Sequence, residues 1–320
     1  MANYRKISDK IHELIIDNPK TVQDLKWINI VDAEKKEIDY LRRNYKFDLI
    51  HLKAASAAVS FQRPMIYRGS NYLCLVLHFP VLKGDNIVSS EVDFFVGHGF
   101  LITAHNKSIA ALNNFFNLGK KSPDALLSYS IESSAILLYE ILGNLTDETY
   151  RLLDDNNIKI NDIEDLIFSR QQKEAVMEIL NLRRNIINVR RIVQNHKNIF
   201  QQLMTMESSL VDKVSIKKYY NNLLEQSKRI WEMLDNQKEI VEVLYNTNES
   251  LLNNQMTDIM KTLTVFSVIV FPLTLLAAIF GMNVAEMPLV NLPYGFWWII
   301  VVMLLGAMGM LLFFERKRWL

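Results

Sequence analysis

Hydroxyl-bearing and small residues recur on one face of an apolar segment near the C-terminus. Steps of three and four residues separate Thr257, Met260, Thr264, Ser267, Phe271, Thr274, Ala278 and Gly281. Parallel helices turn such a stripe toward a shared axis, as in coiled coils. Hydroxyls on this face would hydrogen-bond to water or to a neighbouring helix, whereas lipid tails offer no hydrogen-bond partner. In the alternative, the hydroxyls bond their own helix, as Thr274 could near Pro272.

Two segments at this end of the chain are long and apolar enough to cross a membrane. Residues 262–280 and 296–314 each form 19 uncharged, mostly apolar positions. A helix of about 20 residues spans a hydrocarbon core of roughly 30 Å. A pair of buried core helices is the alternative, but soluble helices are rarely apolar all round. We therefore expect two membrane spans.

The charges that flank these spans predict their orientation. Lys261 precedes the first span, and Arg316, Lys317 and Arg318 follow the second, whereas residues 281–295 contain no Lys or Arg. Because cytoplasmic loops carry the excess of Lys and Arg, we expect both termini in the cytoplasm and the chain in the cell (inner or plasma) membrane. The expected divisions are a cytoplasmic domain (1–261), a first span (262–280), an outer loop (281–295), a second span (296–314) and a basic tail (315–320).

Composition argues against several other classes of function. Lys and Arg total 36 while Asp and Glu total 35, so the overall basic excess of many nucleic-acid binders is absent. Cys74 is the only cysteine, which excludes an internal disulfide and a thiolate zinc site. No phosphate-binding glycine loop or nucleophile–base set indicates an enzyme. We expect no nucleic-acid partner and no prosthetic group.

The first 118 residues have the pattern of a mixed α/β subdomain. Runs rich in β-branched and aromatic residues predict strands, and residues 32–45 predict a helix after an Asp32 N-cap. The predicted strands cover residues 21–30, 61–68, 72–79, 88–96 and 100–105. Turn residues separate them, so an antiparallel sheet flanked by helices is expected.

From residue 119 to 261 the pattern predicts long antiparallel helices and a stalk. No proline lies between Pro123 and Pro272, and no glycine lies between Gly143 and Gly281. We place helices at about 124–154, 160–205 and 214–280, and the last continues into the first span. The predicted fold class is thus an α+β membrane protein with two C-terminal transmembrane helices.

A Gly281-Met282-Asn283 tripeptide stands at the outer end of the first span. At that place in a chain with two C-terminal spans, it resembles the signature of the CorA family of divalent-cation transporters. The resemblance covers nearly the whole chain. The other segments that carry it are residues 62–64, 92–97, 101–103, 182–184, 189–191, 260–264, 271–274 and 317–320.

The resemblance implies a homopentameric funnel. Five first-span helices would line one pore, and the second spans would face the lipid bilayer. The cytoplasmic funnel would bind the transported ion and close the pore when that ion is abundant. The Gly-Met-Asn signature favours Mg²⁺ as this ion. The implied selectivity filter is Gly281, Met282 and Asn283, and the implied pore-lining residues are Thr257, Met260, Leu263, Thr264, Ser267, Phe271, Thr274 and Ala278.

The chemistry of Asn283 suits a hydrated ion. Mg²⁺ releases its coordinated water reluctantly, so a ring of amide oxygens would accept hydrogen bonds from that water and select the ion without dehydrating it. The Gly281 carbonyl, freed at the helix end, would add acceptors. Asn is also a common helix C-cap, and the two roles are compatible.

The chain departs from the family at several positions. Phe280 replaces the Tyr that usually precedes the tripeptide, Ala278 replaces a second pore glycine, and Phe271 replaces a Met. The loop reads Met287-Pro288-Leu289-Val290, and Glu286 is its one acid. Five copies of Glu286 would attract cations to the outer mouth.

Regulation is expected at Asp85. Acidic residues between neighbouring cytoplasmic domains bind the gating ion in the family, and Asp85 matches one of them. The partner position is Asn221 or Asn222, which is neutral. Because Mg²⁺ sites usually depend on one or two carboxylates, we expect Mg²⁺ to inhibit weakly.

Two other readings remain open at this point. The same architecture would serve a transporter of Zn²⁺, Co²⁺ or Ni²⁺. A two-span coiled-coil scaffold or sensor without a pore would need only lipid-facing spans, so that Ser267, Thr274 and Asn283 would be incidental. Cross-linked pentamers would favour the pore, and dimers would favour the sensor.

Overall fold

A computed structural model describes residues 2–16, 24–54, 63–121, 131–205, 213–282, 294–317 and 319. The described residues form seven strands and eight helices. The chain divides into two compact units, Met1–Leu244 and Tyr245–Leu320. The division falls inside one long helix, so each unit is described separately.

A seven-stranded mixed sheet forms the centre of the first unit. In chain order the strands are β1 (Ala2–Lys6), β2 (Ile11–Ile16), β3 (Leu25–Val31), β4 (Met65–Arg68), β5 (Tyr72–Lys83), β6 (Asn86–Gly97) and β7 (Phe100–His105). Their spatial order is β1-β2-β3-β7-β6-β5-β4. The predicted antiparallel pairing is confirmed except where β3 and β7 run parallel. The first two strands were not predicted.

Helices cover both faces of this sheet. On one face, Trp27 of β3 packs its ring 4.9 Å from Phe116 of α3 (Ala110–Lys121). On the other, Phe47 stacks on Phe95 of β6 at 4.7 Å, beside α1 (Lys35–Tyr45) and α2 (Leu49–Ala54). Each face therefore carries its own apolar core.

The start of α1 differs from the prediction. Asp32 has a left-handed backbone with φ of 53°, and the helix begins at Lys35 after Glu34. The backbone N–H of Glu34 donates to Glu37 Oε2 at 3.0 Å. This capping interaction three residues apart fixes the start of the helix, so the Asp32 N-cap was wrong.

The long helices are α4 (Ser134–Phe168), α5 (Gln172–Val193), α6 (His196–Thr205) and α7 (Lys213–Phe280). A break near residues 154–160 was predicted, but α4 continues through it. Asn156, which is buried, donates from Nδ2 to Gln237 Oε1 of α7 at 3.3 Å. The polar stretch therefore faces a partner helix instead of forming a loop.

Two hydrogen bonds show the direction of α4 relative to α7. Tyr220 Oη donates to the Ala135 carbonyl at 2.9 Å, and further along both helices Gln237 Nε2 donates to the Leu153 carbonyl at 2.7 Å. Successive residues of α4 thus meet successive residues of α7. These two helices are parallel, whereas α4 and α5 form an antiparallel hairpin through residues 169–171.

The second unit contains the end of α7 and the helix α8 (Gly295–Arg316). Both helices are long and apolar enough to cross a membrane. Pro272 lies inside α7 without ending it. Large apolar side chains such as Phe266 and Leu305 are exposed in the single chain, as expected of lipid-facing or subunit-facing surfaces.

Candidate functional site

The predicted pore-facing residues lie along one face of α7. We call the eight residues from Thr257 to Gly281 that follow the three-and-four spacing the seam. All are exposed in the single chain except Ser267, which is half-buried. Val265 is only 5% exposed, and at about 100° per residue it lies on the opposite side of the helix. The seam is therefore accessible in the single chain, as are most other residues of this part of α7.

Apolar side chains occupy part of this surface. Phe271, Met260 and neighbouring Leu263 are 71%, 60% and 59% exposed. On the seam, Met260 lies between Thr257 and Thr264, and Phe271 lies between Ser267 and Thr274, whereas Thr264 and Ser267 are successive seam positions.

Every hydroxyl on the seam bonds the carbonyl four residues earlier. Thr257 Oγ1 donates to Asn253 O at 2.9 Å and Thr264 Oγ1 donates to Met260 O at 2.8 Å. The corresponding bonds are Ser267 Oγ to Leu263 O at 2.8 Å and Thr274 Oγ1 to Val270 O at 2.9 Å. The hydroxyl protons thus bond within the helix, as the alternative interpretation of the sequence expected. The hydroxyl oxygens remain on the accessible face.

Gly281 forms the end of α7. Its N–H donates to the Ala277 carbonyl at 2.9 Å, and Met282 N–H donates to Ile279 at 3.2 Å. A Cβ on Gly281 would lie 3.0 Å from the Ala277 oxygen, so glycine permits this tight last turn. Met282 is 59% exposed. Asn283 and Glu286 lie outside the described residues, and their roles remain predictions.

Asp85 lies at the exposed tip of the β5–β6 hairpin. Asn185 of α5 holds this turn from both sides, because Nδ2 donates to the Asp85 carbonyl at 2.7 Å and Oδ1 accepts from Ile87 N–H at 3.0 Å. Asn188 Nδ2 also donates to the Ile87 carbonyl at 3.0 Å. Neither asparagine was predicted as a functional residue from the sequence.

The partner positions suggested for Asp85 are on α7. Asn221 and Asn222 are exposed, and Asn222 Nδ2 donates to Tyr139 Oη at 3.0 Å. Among the described residues of one chain, no group of three or more His, Cys, Asp or Glu side chains is placed to hold a metal ion.

Asp93 and His196 are among the titratable groups that are buried in the described part of the first unit. Asp93 of β6 is 4% exposed, and its Oδ1 has no hydrogen-bond partner in the described structure. Burial, and then the nearby charge of Glu91, raises the pKa of Asp93 well above its usual value. Burial lowers the pKa of His196 to about 4, and its Nε2 lies 2.7 Å from the His78 carbonyl. His196 is thus a neutral donor near pH 7.

A family model described as CorA-like Mg²⁺ transporter protein matches residues 22–317 of this chain. This chain belongs to the CorA family. It is a divalent-cation transporter with a soluble α/β domain, a long helix and two candidate C-terminal membrane helices.

Individual relatives differ in the ion that their names give. YfjQ of Bacillus subtilis, whose name mentions metal ion transport without a particular ion, is 24% identical over 293 residues. The match covers 92% of this chain and 89% of YfjQ. The zinc transport protein ZntB of Yersinia enterocolitica is 25% identical over 238 residues, covering 74% and 70%. Both matches extend over most of each protein, so the ion carried by this chain needs a separate argument.

The solved structure of the CorA magnesium transporter from Methanocaldococcus jannaschii has the same fold. The TM-score is 0.83 at 20% identity, covering 99% of this chain and 100% of that chain. The expected CorA fold class is thereby confirmed at the level of a single chain.

Proposed function

We propose that five copies of this chain surround one pore and that Mg²⁺ crosses it into the cytoplasm, driven by the membrane potential. The observation that carries this proposal is the seam, a face of α7 that carries four hydroxyls within an otherwise apolar segment and ends at Gly281. Five such faces turned toward one axis would give a water-accessible path through an apolar membrane.

The position of α8 in this proposal is on the lipid side. Its exposed side chains are large and apolar, including Trp297 and Leu305. Lipid tails can pack against such a surface, whereas a path for a hydrated ion needs hydrogen-bond acceptors. The hydroxyls of α7 meet that need, so α7 is the helix that lines the pore.

Selection takes place at Gly281, Met282 and Asn283. The Asn283 ring accepts hydrogen bonds from water on Mg²⁺ and so recognises the hydrated ion, which loses water reluctantly. Five Glu286 carboxylates concentrate cations at the outer mouth. Mg²⁺ is both the cargo and the regulatory ligand in this proposal.

The driving force is the membrane potential. A doubly charged ion that moves through 100 mV gains about 4.6 kcal/mol, twice the value for a single charge. Inward movement is favoured with a negative cytoplasm and both termini on that side, as Lys261, Arg316 and Lys317 indicate. The membrane is the cell membrane, and residues 1–261 form the cytoplasmic domain.

Cytoplasmic Mg²⁺ closes the pore through the interface between neighbouring soluble domains. Asp85 supplies one carboxylate to this site from an exposed turn, and Asn221 or Asn222 replaces a second acid. Loss of one carboxylate weakens a Mg²⁺ site. Half-inhibition therefore requires more Mg²⁺ than a low micromolar concentration.

Transport of Zn²⁺ is the second candidate function, and the similarity to ZntB favours it. Influx into liposomes that contain the purified chain and an ion-sensitive dye distinguishes the two. With the interior held negative, we expect Mg²⁺ entry that Asn283→Ala abolishes. Zn²⁺ entry without Mg²⁺ entry would favour the second candidate, and no entry of Mg²⁺, Zn²⁺ or Co²⁺ into liposomes holding folded protein would favour the poreless scaffold.

A further inference from the structure

A buried stripe runs along the part of α7 that belongs to the first unit. Its members recur at steps of three and four residues, as in a coiled coil, and are Tyr220, Leu223, Ser227, Ile230, Leu234, Gln237, Val241 and Leu244. A spacing that repeats every seven residues presents nearly the same apolar surface after a shift of seven residues. In coiled coils, a buried polar residue selects one register among such alternatives.

Gln237 is a buried polar member of this stripe, and its side-chain amide is fully bonded to α4. It is only 2% exposed. Its Nε2 donates to the Leu153 carbonyl and to Asn157 Oδ1, both at 2.7 Å, and its Oε1 accepts from Asn156 Nδ2 at 3.3 Å. A glutamine amide has two protons to donate, so both are used within about one turn of α4. We call Asn156, Asn157 and Gln237 the amide cluster.

The other side-chain bonds between α4 and α7 are less selective. Tyr220 Oη donates to the Ala135 carbonyl at 2.9 Å, and Tyr150 Oη donates to the Gln226 carbonyl at 3.0 Å. Every residue of a helix carries a carbonyl oxygen with two lone pairs, so a bond of this kind can form again at another position. These two bonds therefore leave the register open.

The amide cluster can form in one register only. Asn156 is the only Asn or Gln among the buried residues of α4, a helix that the structure describes in full. A slip of seven residues would place Gln237 beside Thr149 or Ile163 instead. The Thr149 hydroxyl already donates within its own helix at 3.2 Å, and Ile163 has no polar side-chain atom. Either slip leaves buried amide groups unsatisfied, which is unfavourable.

The cluster connects the sheet to the long helix. The first turn of α4 is fixed to the sheet, because Ser134 Oγ donates to the Gly97 carbonyl at 2.7 Å. Leu137 and Ile141 of the same helix belong to the apolar core on that face of the sheet. On the other side of the cluster, α7 continues as one helix to Phe280.

We propose that the amide cluster locks the register of α7 against α4, so that a displacement of the soluble domain moves the pore helix instead of being lost as sliding. Gln237 is thus a positioning residue for gating. Buried polar groups are best attested in this role of fixing a register, which they perform at a cost in stability. The consequence for gating rests on the proposed function, whereas the lock itself does not.

The test measures the register directly in the purified full chain, by the distance between spin labels at Asn161→Cys on α4 and Glu225→Cys on α7. Both positions are exposed, and the natural thiol of Cys74 is buried. With Gln237 level with Asn156, the two labels are 17 residues, or about 25 Å, apart along the helices. A slip of seven residues changes this separation by about 10 Å. Labelled chains are diluted with unlabelled ones so that only distances within a chain are seen.

The main variant replaces both amides, as Asn156→Leu with Gln237→Leu. Replacing both partners by apolar groups of similar size is nearly neutral for stability or stabilising, and Asn157 is exposed to water. Gln237→Met, which keeps the side-chain length, is the second variant if the first does not fold. Ser227→Ala is the matched control, because Ser227 is buried on the same stripe and lies outside the amide cluster.

The wild type and Ser227→Ala should each give one distance. The Leu variant should melt no lower than the wild type and gain a second distance, shifted by about 10 Å. Its Mg²⁺ influx into dye-loaded liposomes should persist, while the Mg²⁺ concentration for half-inhibition should rise at least about fivefold, the lower end of typical couplings between sites.

Two results would overturn the lock: the single wild-type distance in a folded amide variant, or the same second distance in Ser227→Ala. A second distance with an unchanged inhibition curve would overturn the role in gating. A second distance in the Leu variant of a chain whose wild type carries no Mg²⁺ would uphold the lock and overturn the proposed function.

Discussion

Arg190 of α5 lies over the indole ring of Trp231 of α7, with its guanidinium carbon 4.7 Å from the ring centroid. The same guanidinium pairs with Asp235, one turn further along α7. A planar guanidinium can stack on a ring and bind a carboxylate together, which an ammonium does less well. This contact joins the α4–α5 hairpin to the long helix.

Arg190→Ala should lower the free energy of unfolding of the first unit by about 1–2 kcal/mol, since a cation–π contact and a half-exposed ion pair each contribute up to about 1 kcal/mol. Arg190→Lys should recover less than half of the loss. Thermal unfolding of the purified chain measures both effects. Arg191→Ala is the matched control because Arg191 is exposed, and an equal loss in that variant would contradict a specific role for Arg190.

Asn185→Ala should loosen the β5–β6 hairpin. Ile87 N–H and the Asp85 carbonyl both lose their side-chain partner, and Ile87 is buried. An unsatisfied buried polar group costs about 1–3 kcal/mol, so the free energy of unfolding should fall by a comparable amount. Thermal unfolding of the purified chain measures this loss. Because the variant frees the turn that carries Asp85, it should also raise the Mg²⁺ concentration needed for half-inhibition.

Asn161→Ala, on the exposed surface of α4, is the control for that experiment. Unchanged stability in Asn185→Ala would mean that the Asn185 side chain does not stabilise the turn. Reduced stability with an unchanged inhibition curve would mean that the hairpin takes no part in gating.

Asp93→Asn should remove a pH-dependent loss of stability. Because burial raises the pKa of folded Asp93, the folded chain keeps a proton that the unfolded chain releases above its ordinary pKa of about 4. Stability therefore falls as the pH rises from that value toward the raised folded pKa. We expect Asp93→Asn to unfold at a higher temperature than the wild type at pH 7, with the difference shrinking toward pH 4.

Melting temperatures measured at several pH values between 4 and 8 test this directly, with exposed Asp154→Asn as the control. A constant difference between Asp93→Asn and the wild type at all of these pH values would show that Asp93 is ionised in the folded protein.

Gly281→Ala should impair transport while leaving the soluble unit stable. The new Cβ would lie 3.0 Å from the Ala277 carbonyl, which forces the last turn of α7 to shift directly before Met282 and Asn283. Mg²⁺ influx should fall at least about tenfold, because ion sites tolerate displacements of only about 1 Å. In Gly306→Ala the added Cβ meets nothing within 4 Å beyond the backbone of its own helix, and its influx should be normal. Equal influx in the two variants would argue against a strict geometry at Gly281.

The parts of the fold that depend on periodicity could be predicted from the sequence. The seam and both candidate spans follow from spacing and uncharged length alone, and α7 continues without a break as the missing helix breakers suggested. The α4–α5 break at Ser169 to Gln171 could not be found in this way, since Arg170 takes the left-handed conformation with φ of 66° without a glycine.

Contacts between distant segments were the other kind of miss. Asn185 looks like a solvated helix residue in the sequence, yet it binds a turn about 100 positions earlier. Asn156 looked like a helix end and instead bonds Gln237. In both residues the polar side chain is satisfied by a partner that only the tertiary structure brings near, and no local pattern marks it.

The most direct test of the central claim, that the seam lines the pore, is block by a thiol reagent at single introduced cysteines. Burial raises the pKa of the Cys74 thiol, so the natural cysteine should react slowly. Under a charged methanethiosulfonate added from the outside, Thr274→Cys should lose most of its Mg²⁺ current, and Thr262→Cys should keep its current. Equal sensitivity of the two variants, or none at Thr274→Cys despite its labelling, would contradict the account.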